Sequence, residues 1–157
     1  EMNITESEVL KVQEKWADFV INIGKKFIKG DEYKEYAEQF LDDLYAFSNG
    51  NVLFKPTLAS KTQFRLNKNA ALSYFIGNNH EFKEDNGFAL ASWDLIRFEN
   101  IQILIFDKIA LAMGNYFMVK DGISKKIEYS FAYKKDGHSN LRIVLHDSHL
   151  PFKPGTF

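Results

Sequence analysis

Cysteine is absent from the 157 residues, which excludes disulfide bonds, thiol nucleophiles and zinc sites built on thiolates. An excess of either charge is also absent, because 20 Lys and Arg stand against 21 Asp and Glu and give a net charge of -1. Binding to a phosphate backbone requires a basic surface, so we expect no nucleic-acid partner. The longest apolar run, Ile109 to Met113, is far shorter than the ~20 residues of a membrane-spanning helix, so we expect no membrane partner.

Linker and targeting signals are equally sparse. Glu1 and Met2 do not begin a charged and then apolar signal segment, which leaves the compartment open between the cytoplasm and a secreted or periplasmic mature form. No Pro/Gly/Ser-rich stretch divides the chain. We therefore expect residues 1–157 to form a single domain.

The first half of the chain has hydrophobic residues at helical spacing. Thr5 and Glu8 form a Thr-x-x-Glu capping box, which predicts a long helix that ends at Gly30. Further helices are predicted from Tyr33 to Asn49-Gly50 and from Lys68 to Gly77. The predicted inward face of the first helix consists of Val9, Val12, Trp16, Phe19, Ile23 and Phe27.

The second half alternates between apolar and polar residues, which is typical of strands. Two Asp-Gly turns, at Asp121-Gly122 and Asp136-Gly137, predict that the later strands pair as an antiparallel meander. Helices followed by a meander indicate an α+β fold in which the helices close one face of a curved sheet and leave a pocket on its concave side. The predicted strands are Phe88–Phe98, Ile101–Phe106, Lys108–Val119, Ile127–Lys134 and Leu141–His146.

The segment His146-Asp147-Ser148-His149 contains the residue types of a metal site or of a Ser-His-Asp triad. On a regular strand, however, His146 and Ser148 point to one side while Asp147 and His149 point to the other. The segment therefore supplies neither a chelating histidine pair nor a triad by itself. Two roles stay open for His146, a general base on a pocket wall and a structural histidine.

Other catalytic motifs are missing. His80 and His138 lie in polar loops without a His-Glu-x-x-His or EF-hand pattern, so we expect no metal ligand there. No serine lies in a Gly-x-Ser-x-Gly elbow, which disfavours a serine hydrolase.

Six segments, in this order and spacing, resemble the iota-class carbonic anhydrases, and the likeness extends from Trp16 to Pro151. More distantly, the C-terminal segment is similar to the association domain of calcium/calmodulin-dependent protein kinase II, in the same nuclear-transport-factor-2-like superfamily. The resemblance implies a cone of curved antiparallel sheet around helices, a homodimer, and a pocket in the cone. The six segments are Val52–Thr57, Gln63–Arg65, Ala71–Phe75, Glu84–Leu90, Ala110–Phe117 and Leu141–Pro151.

The family also implies which residues bind substrate. In its metal-free members, hydroxyl groups from three motifs hold bicarbonate, and these motifs match Thr57, Tyr74 and Ser148 here. The last motif departs from the family, since Asp147 replaces a histidine and His149 replaces a serine. Both replacements point away from Ser148 on a regular strand, so the binding face is expected to survive.

The activity implied by the resemblance is interconversion of carbon dioxide and bicarbonate by a lyase without a cofactor. Some members of the class use a divalent metal, but this chain offers no convincing ligand set for one. We expect Thr57, Tyr74 and Ser148 to stabilise developing negative charge, and His146 to accept the proton of the attacking water directly or through a water chain. The alternative is a non-catalytic module of the same fold that binds another small ligand or oligomerises.

Overall fold

The computed structural model describes residues 3–157, so Glu1 and Met2, on which the signal-segment expectation rests, lie outside the described residues. The strands form one sheet in the order β1-β5-β4-β3-β2, and the predicted α+β class is confirmed. None of the helices in residues 3–157 has the length and apolar character needed to cross a bilayer. The elements are α1 (Glu6–Lys29), α2 (Lys34–Leu44), β1 (Leu53–Lys55), α3 (Lys68–Ile76), β2 (Leu95–Phe106), β3 (Ile109–Lys120), β4 (Ile123–Lys135) and β5 (Leu141–His149).

Helix α1 begins and ends where the sequence predicts. The Glu8 backbone N–H donates to Thr5 Oγ1 at 3.2 Å, and the Thr5 N–H donates to Glu8 Oε1 at 2.9 Å, which completes the capping box. Gly30 ends the helix with φ 76°, a left-handed conformation that glycine adopts without strain. The predicted inward face holds except at Phe27, which is 43% exposed because its ring packs against Tyr33 rather than the sheet. The predicted end of the second helix at Asn49-Gly50 is wrong, since α2 ends at Leu44, where Tyr45 adopts an extended backbone and pairs with Ile143.

Strand β2 replaces the two predicted strands Phe88–Phe98 and Ile101–Phe106. The first prediction is wrong at its start, because the chain there forms a 3₁₀ turn and Ser92, with φ 61°, breaks the extended backbone. The expected gap between the two strands is a β-bulge, where the register shifts between Asn100 and Gln102 and leaves one extra residue. At a bulge, the alternation of residues between the two faces of a strand is reversed. A single bulged strand therefore has the sequence pattern of two separate strands.

The pairing of β1 is what brings the two halves of the chain together. Strands β2 to β5 form the predicted antiparallel meander, whereas β1 pairs in parallel with β5, with Phe54 opposite His146 and Lys55 opposite Asp147. Strand β5 continues to His149 rather than ending at His146. The segment that follows β1 therefore lies beside the last residues of β5.

The core lies between the helices and the concave face of the sheet, and aromatic rings dominate it. Trp16 of α1 is 1% exposed and packs edge-on against Phe40, Phe75 and Phe98. The imidazole of His146 lies among the same rings, 5.9 Å from Trp16 between ring centroids. A polar side chain placed this deep must find hydrogen-bonding partners inside the protein.

Candidate active site

Three hydroxyl groups that are far apart in the sequence lie together beside the β1–β5 pair. Thr57 follows β1, and its Oγ1 is 2.9 Å from Oγ of Ser148, 91 residues further along the chain. The hydroxyl of Tyr74, on α3, accepts a hydrogen bond from the Leu58 N–H at 3.2 Å. Burial, reinforced by Tyr116, raises the pKa of Tyr74 well above its usual value, although hydrogen bonding to Leu58 and Thr57 opposes the shift. The phenol is therefore a neutral donor at physiological pH.

Tyr116 of β3 contributes a fourth hydroxyl, for which the sequence predicted no role. The tyrosine is 1% exposed, and burial raises its pKa to about 12, although the nearby Ser148 and Thr57 hydroxyls act in the opposite direction. We call Thr57, Tyr74, Tyr116 and Ser148 the hydroxyl cluster. Tyr116 shares its face of β3 with Ala112 and Gly114. A large aromatic residue with a hydroxyl group, placed after two small residues on the same inward face, was the sequence signal that could have identified Tyr116.

His146 and Ser148 point into the core, as the alternation of the strand predicted, and each is 1% exposed. Both imidazole nitrogens of His146 face tyrosine hydroxyls: Nδ1 lies 2.8 Å from Tyr45 and Nε2 lies 3.3 Å from Tyr116. Burial lowers the pKa of His146 to about 3. The imidazole is therefore neutral at physiological pH, and it reaches the hydroxyl cluster through Tyr116.

The two residues that depart from the family pattern lie on the opposite face of β5. Asp147 pairs across the sheet with Ser130 on one side and Lys55 on the other. His149 is exposed, and its Nε2 lies 3.1 Å from a Glu128 carboxylate oxygen. Neither side chain faces the hydroxyl cluster, as the alternation along the strand predicted.

A buried ion pair supports the helix that carries Tyr74. Arg65 is fully buried, and its Nη1 and Nη2 donate to Asp85 Oδ2 and Oδ1 at 2.7 and 2.8 Å. The same Asp85 Oδ2 accepts a hydrogen bond from Ser73 Oγ at 2.6 Å. Because Ser73 immediately precedes Tyr74, the ion pair fixes the turn of α3 from which the phenol projects.

The neighbouring carboxylate holds the loop that follows Thr57. Glu84 accepts hydrogen bonds from the backbone N–H groups of Ser60, Lys61 and Thr62, at 2.8, 3.1 and 2.8 Å. The backbone hydrogen bond from Thr62, with those from Ser60 and Lys61, lowers the pKa of Glu84 to about 2. The carboxylate is therefore ionised at physiological pH and ties this loop to the segment that contains Asp85.

A cavity of about 280 Å³ borders the hydroxyl cluster at Tyr74. Leu58, Phe88 and Trp93 supply apolar walls, and Lys125 supplies a cation. Within residues 3–157, no three His, Asp or Glu side chains lie close enough together to hold a metal ion. The other histidines that were considered as ligands, His80 and His138, are both exposed.

Helices packed on the concave face of a curved five-stranded sheet form the nuclear-transport-factor-2-like fold. A protein of that superfamily from Salmonella enterica serovar Typhimurium superposes with a TM-score of 0.51 at 13% identity, over 94% of this chain and 96% of its own. A cyanobacterial iota-carbonic anhydrase complexed with bicarbonate superposes with a TM-score of 0.93 at 38% identity, over 96% of this chain and 94% of its own.

Sequence comparison identifies the family to which the chain belongs. The model of the metal-independent carbonic anhydrases matches residues 7–150. A metal-independent carbonic anhydrase of Nostoc sp. (strain PCC 7120) is 41% identical over 154 residues, which cover 96% of this chain and 75% of that protein. The chain therefore belongs to the metal-independent carbonic anhydrase family, whose members are lyases that interconvert carbon dioxide and bicarbonate. The resemblance noted in the sequence is confirmed.

Proposed function

We propose that this chain hydrates carbon dioxide to bicarbonate at the hydroxyl cluster, with Thr57, Tyr74 and Ser148 binding the substrate. The 2.9 Å contact between Thr57 and Ser148, made across 91 residues, is the observation that carries the proposal. The bicarbonate held by the cyanobacterial iota-carbonic anhydrase supports the same ligand for this chain. Small oxyanions suit a site that is rich in hydroxyl donors and bordered by apolar walls.

The chemistry uses neutral groups throughout. As the oxygen of a bound water attacks the carbon, a C–O bond forms and a C=O π bond breaks. A side-chain hydroxyl of the cluster accepts a proton from that water and gives its own proton to a carbon dioxide oxygen. The resulting carbonic acid loses one proton to solvent and leaves as bicarbonate. The other hydroxyls donate to the oxygens on which negative charge develops, and each oriented donor contributes about 3 kcal/mol of transition-state stabilisation.

Metal-bound hydroxide is the alternative nucleophile in carbonic anhydrases that contain zinc. The proposed mechanism needs no such group, in keeping with the family to which the chain belongs. His146 acts on the reacting proton only through Tyr116, because both of its ring nitrogens already face tyrosine hydroxyls. The raised pKa of Tyr116 keeps that hydroxyl protonated, so that it serves as a hydrogen-bond donor and acceptor.

Stopped-flow measurement of carbon dioxide hydration tests this function. We expect the folded protein to accelerate hydration above the buffer rate, and we expect a strong chelator to leave the rate unchanged. Heat-denatured protein at the same concentration is the control for buffering by side chains. A rate equal to that of buffer would contradict catalysis, whereas activity lost to the chelator and restored by a divalent metal would contradict the metal-free mechanism alone.

We further propose that residues 1–157 form one domain that assembles as a homodimer through the outer face of the sheet. Successive cross-strand partners align one apolar residue from each strand on that face. Leu111 and Met113 at its centre are 40% and 58% exposed. An exposed apolar face favours association, and a two-fold axis lets one face pair with its copy. The aligned row is Leu53, Leu145, Ala132, Leu111 and Leu104.

Sedimentation equilibrium checks the dimer. We expect the unaltered chain to sediment at twice the mass of one chain, and we expect the double variant Leu111→Glu, Met113→Glu to sediment as a monomer, because four buried carboxylates would face one another across the two-fold axis. The control is Ile28→Glu, which adds a carboxylate at a 70% exposed position near the end of α1. Monomeric wild-type protein, or a double variant that still dimerises, would exclude this interface.

A further inference from the structure

A line of four buried side chains leads from α1 to the hydroxyl cluster. The indole N–H of Trp16 donates to the Tyr45 hydroxyl at 3.0 Å, and that hydroxyl lies 2.8 Å from Nδ1 of His146. On the other side of the ring, Nε2 of His146 lies 3.3 Å from the hydroxyl of Tyr116. All four residues are at most 1% exposed. We call Trp16, Tyr45, His146 and Tyr116 the aromatic relay.

The first member of the aromatic relay fixes the direction of every later hydrogen bond. An indole N–H is a donor only, so the oxygen of Tyr45 accepts from Trp16. Among the described residues, the other hydrogen-bond partner of this hydroxyl is Nδ1 of His146, so its single proton has Nδ1 as its acceptor. A nitrogen that accepts a hydrogen bond carries no proton. The one proton of a neutral imidazole must then reside on Nε2, where it is donated to Tyr116.

The surroundings of the imidazole favour its neutral form. Besides Trp16, Tyr45 and Tyr116, the rings packed against His146 are those of Phe54 on β1, 4.9 Å away, and Phe131 on β4, 4.2 Å away. The two tyrosines are the titratable groups among these neighbours, and burial raises the pKa of both. No charge in this shell would stabilise an imidazolium ion, so the ring carries one proton.

We infer that Trp16 and Tyr45 hold His146 in its Nε2–H tautomer, and that the imidazole positions the Tyr116 hydroxyl so that its single proton is directed toward the hydroxyl pair of Thr57 and Ser148. The catalytic consequence rests on the proposed function, because it concerns the same hydroxyl cluster. In this arrangement Trp16, Tyr45 and His146 are positioning residues. Tyr116 is the member of the aromatic relay that also belongs to the cluster.

The tautomer of His146 can be measured by NMR spectroscopy, independently of enzyme activity. Long-range proton–nitrogen correlation spectra of protein labelled with ¹⁵N-histidine distinguish the two tautomers and the imidazolium ion, and the His146→Gln variant assigns the signal. We expect the Nε2–H form of His146 throughout the neutral range. We expect Tyr45→Phe to shift the ring toward a mixture of tautomers, because Nδ1 loses its donor. An Nδ1–H tautomer or an imidazolium ion in the unaltered protein would overturn the inference.

Activity distinguishes positioning from direct proton acceptance. Tyr45→Phe is expected to lower kcat about fivefold with KM nearly unchanged, which corresponds to one lost hydrogen bond. His146→Gln retains an N–H that reaches toward Tyr116, so it should keep several times the kcat of His146→Leu. Equal loss in the two variants, with both folded by circular dichroism, would contradict positioning and favour His146 as the proton acceptor. Failure of the unaltered protein to hydrate carbon dioxide would refute the proposed function but leave the tautomer result standing.

Discussion

Replacement of Tyr74 by phenylalanine is expected to lower the rate of carbon dioxide hydration about a hundredfold, because it removes one oriented donor from the site. The ring itself packs against Phe54 and Phe88 and would stay in place, so the shape of the core is preserved. The Leu58 N–H loses its acceptor, which we expect to cost about 1 kcal/mol of stability. Stopped-flow kinetics and thermal unfolding of the same preparation measure the two effects separately.

The matched control is Tyr33→Phe. Tyr33 lies between α1 and α2, where its ring packs against the exposed Phe27, and its loss of a hydroxyl should leave kcat unchanged. If Tyr74→Phe also retained the full rate, Tyr74 would have no part in catalysis. Equal losses in the two variants would point to a general effect on folding instead.

Arg65→Met is expected to reduce the free energy of unfolding by about 3–5 kcal/mol, because it leaves Asp85 buried without its cation. Arg65 also donates to the carbonyl oxygens of Thr62 and Ala70, so the substitution removes hydrogen bonds from the loop and from α3. Equilibrium unfolding in urea measures the difference in the free energy of unfolding between Arg65→Met and the unaltered protein. The double variant Arg65→Met, Asp85→Asn should lose less than the sum of the single changes, since it removes both charges.

An exposed ion pair between α3 and α2 provides the control. Lys68 and Asp42 lie 2.9 Å apart, and their side chains are 38% and 54% exposed. Lys68→Met should therefore cost at most about 1 kcal/mol. Should Arg65→Met and Lys68→Met destabilise the protein equally, the buried pair would not be the structural support described above.

Local signals made most of the fold predictable. The capping box at Thr5 and the glycine at position 30 define α1 because both act within one turn of helix. The bulge at Asn100 was not predictable in the same way, since its cause lies on the neighbouring strand. There, a Cβ on Gly114 would collide with the carbonyl oxygen of Glu99, so the close approach of β2 and β3 depends on a residue that is distant in sequence.

The site was only partly predictable, because some of its contacts join residues that are distant in the sequence. Alternation along one strand was sufficient to place His146 and Ser148 on one face. The parallel pairing of β1 with β5, which brings Thr57 to Ser148, has no local signature in a three-residue strand. The roles of Tyr45 and Arg65 were also missed. In a sequence, a tyrosine or an arginine with buried hydrogen-bond partners cannot be distinguished from an ordinary core aromatic or a surface arginine until those partners are known.

Because β5 lies between β4 and β1, the last of the five strands in sequence order must insert beside the first. Contacts of such long sequence separation form late and slowly during folding. Helices α1 and α2 can form from neighbouring residues, whereas Thr57 and Ser148 meet only when that insertion is complete. In a refolding experiment, recovery of enzyme activity should therefore lag behind recovery of the helical circular dichroism signal. The length of this delay would measure how long β5 takes to insert between β4 and β1.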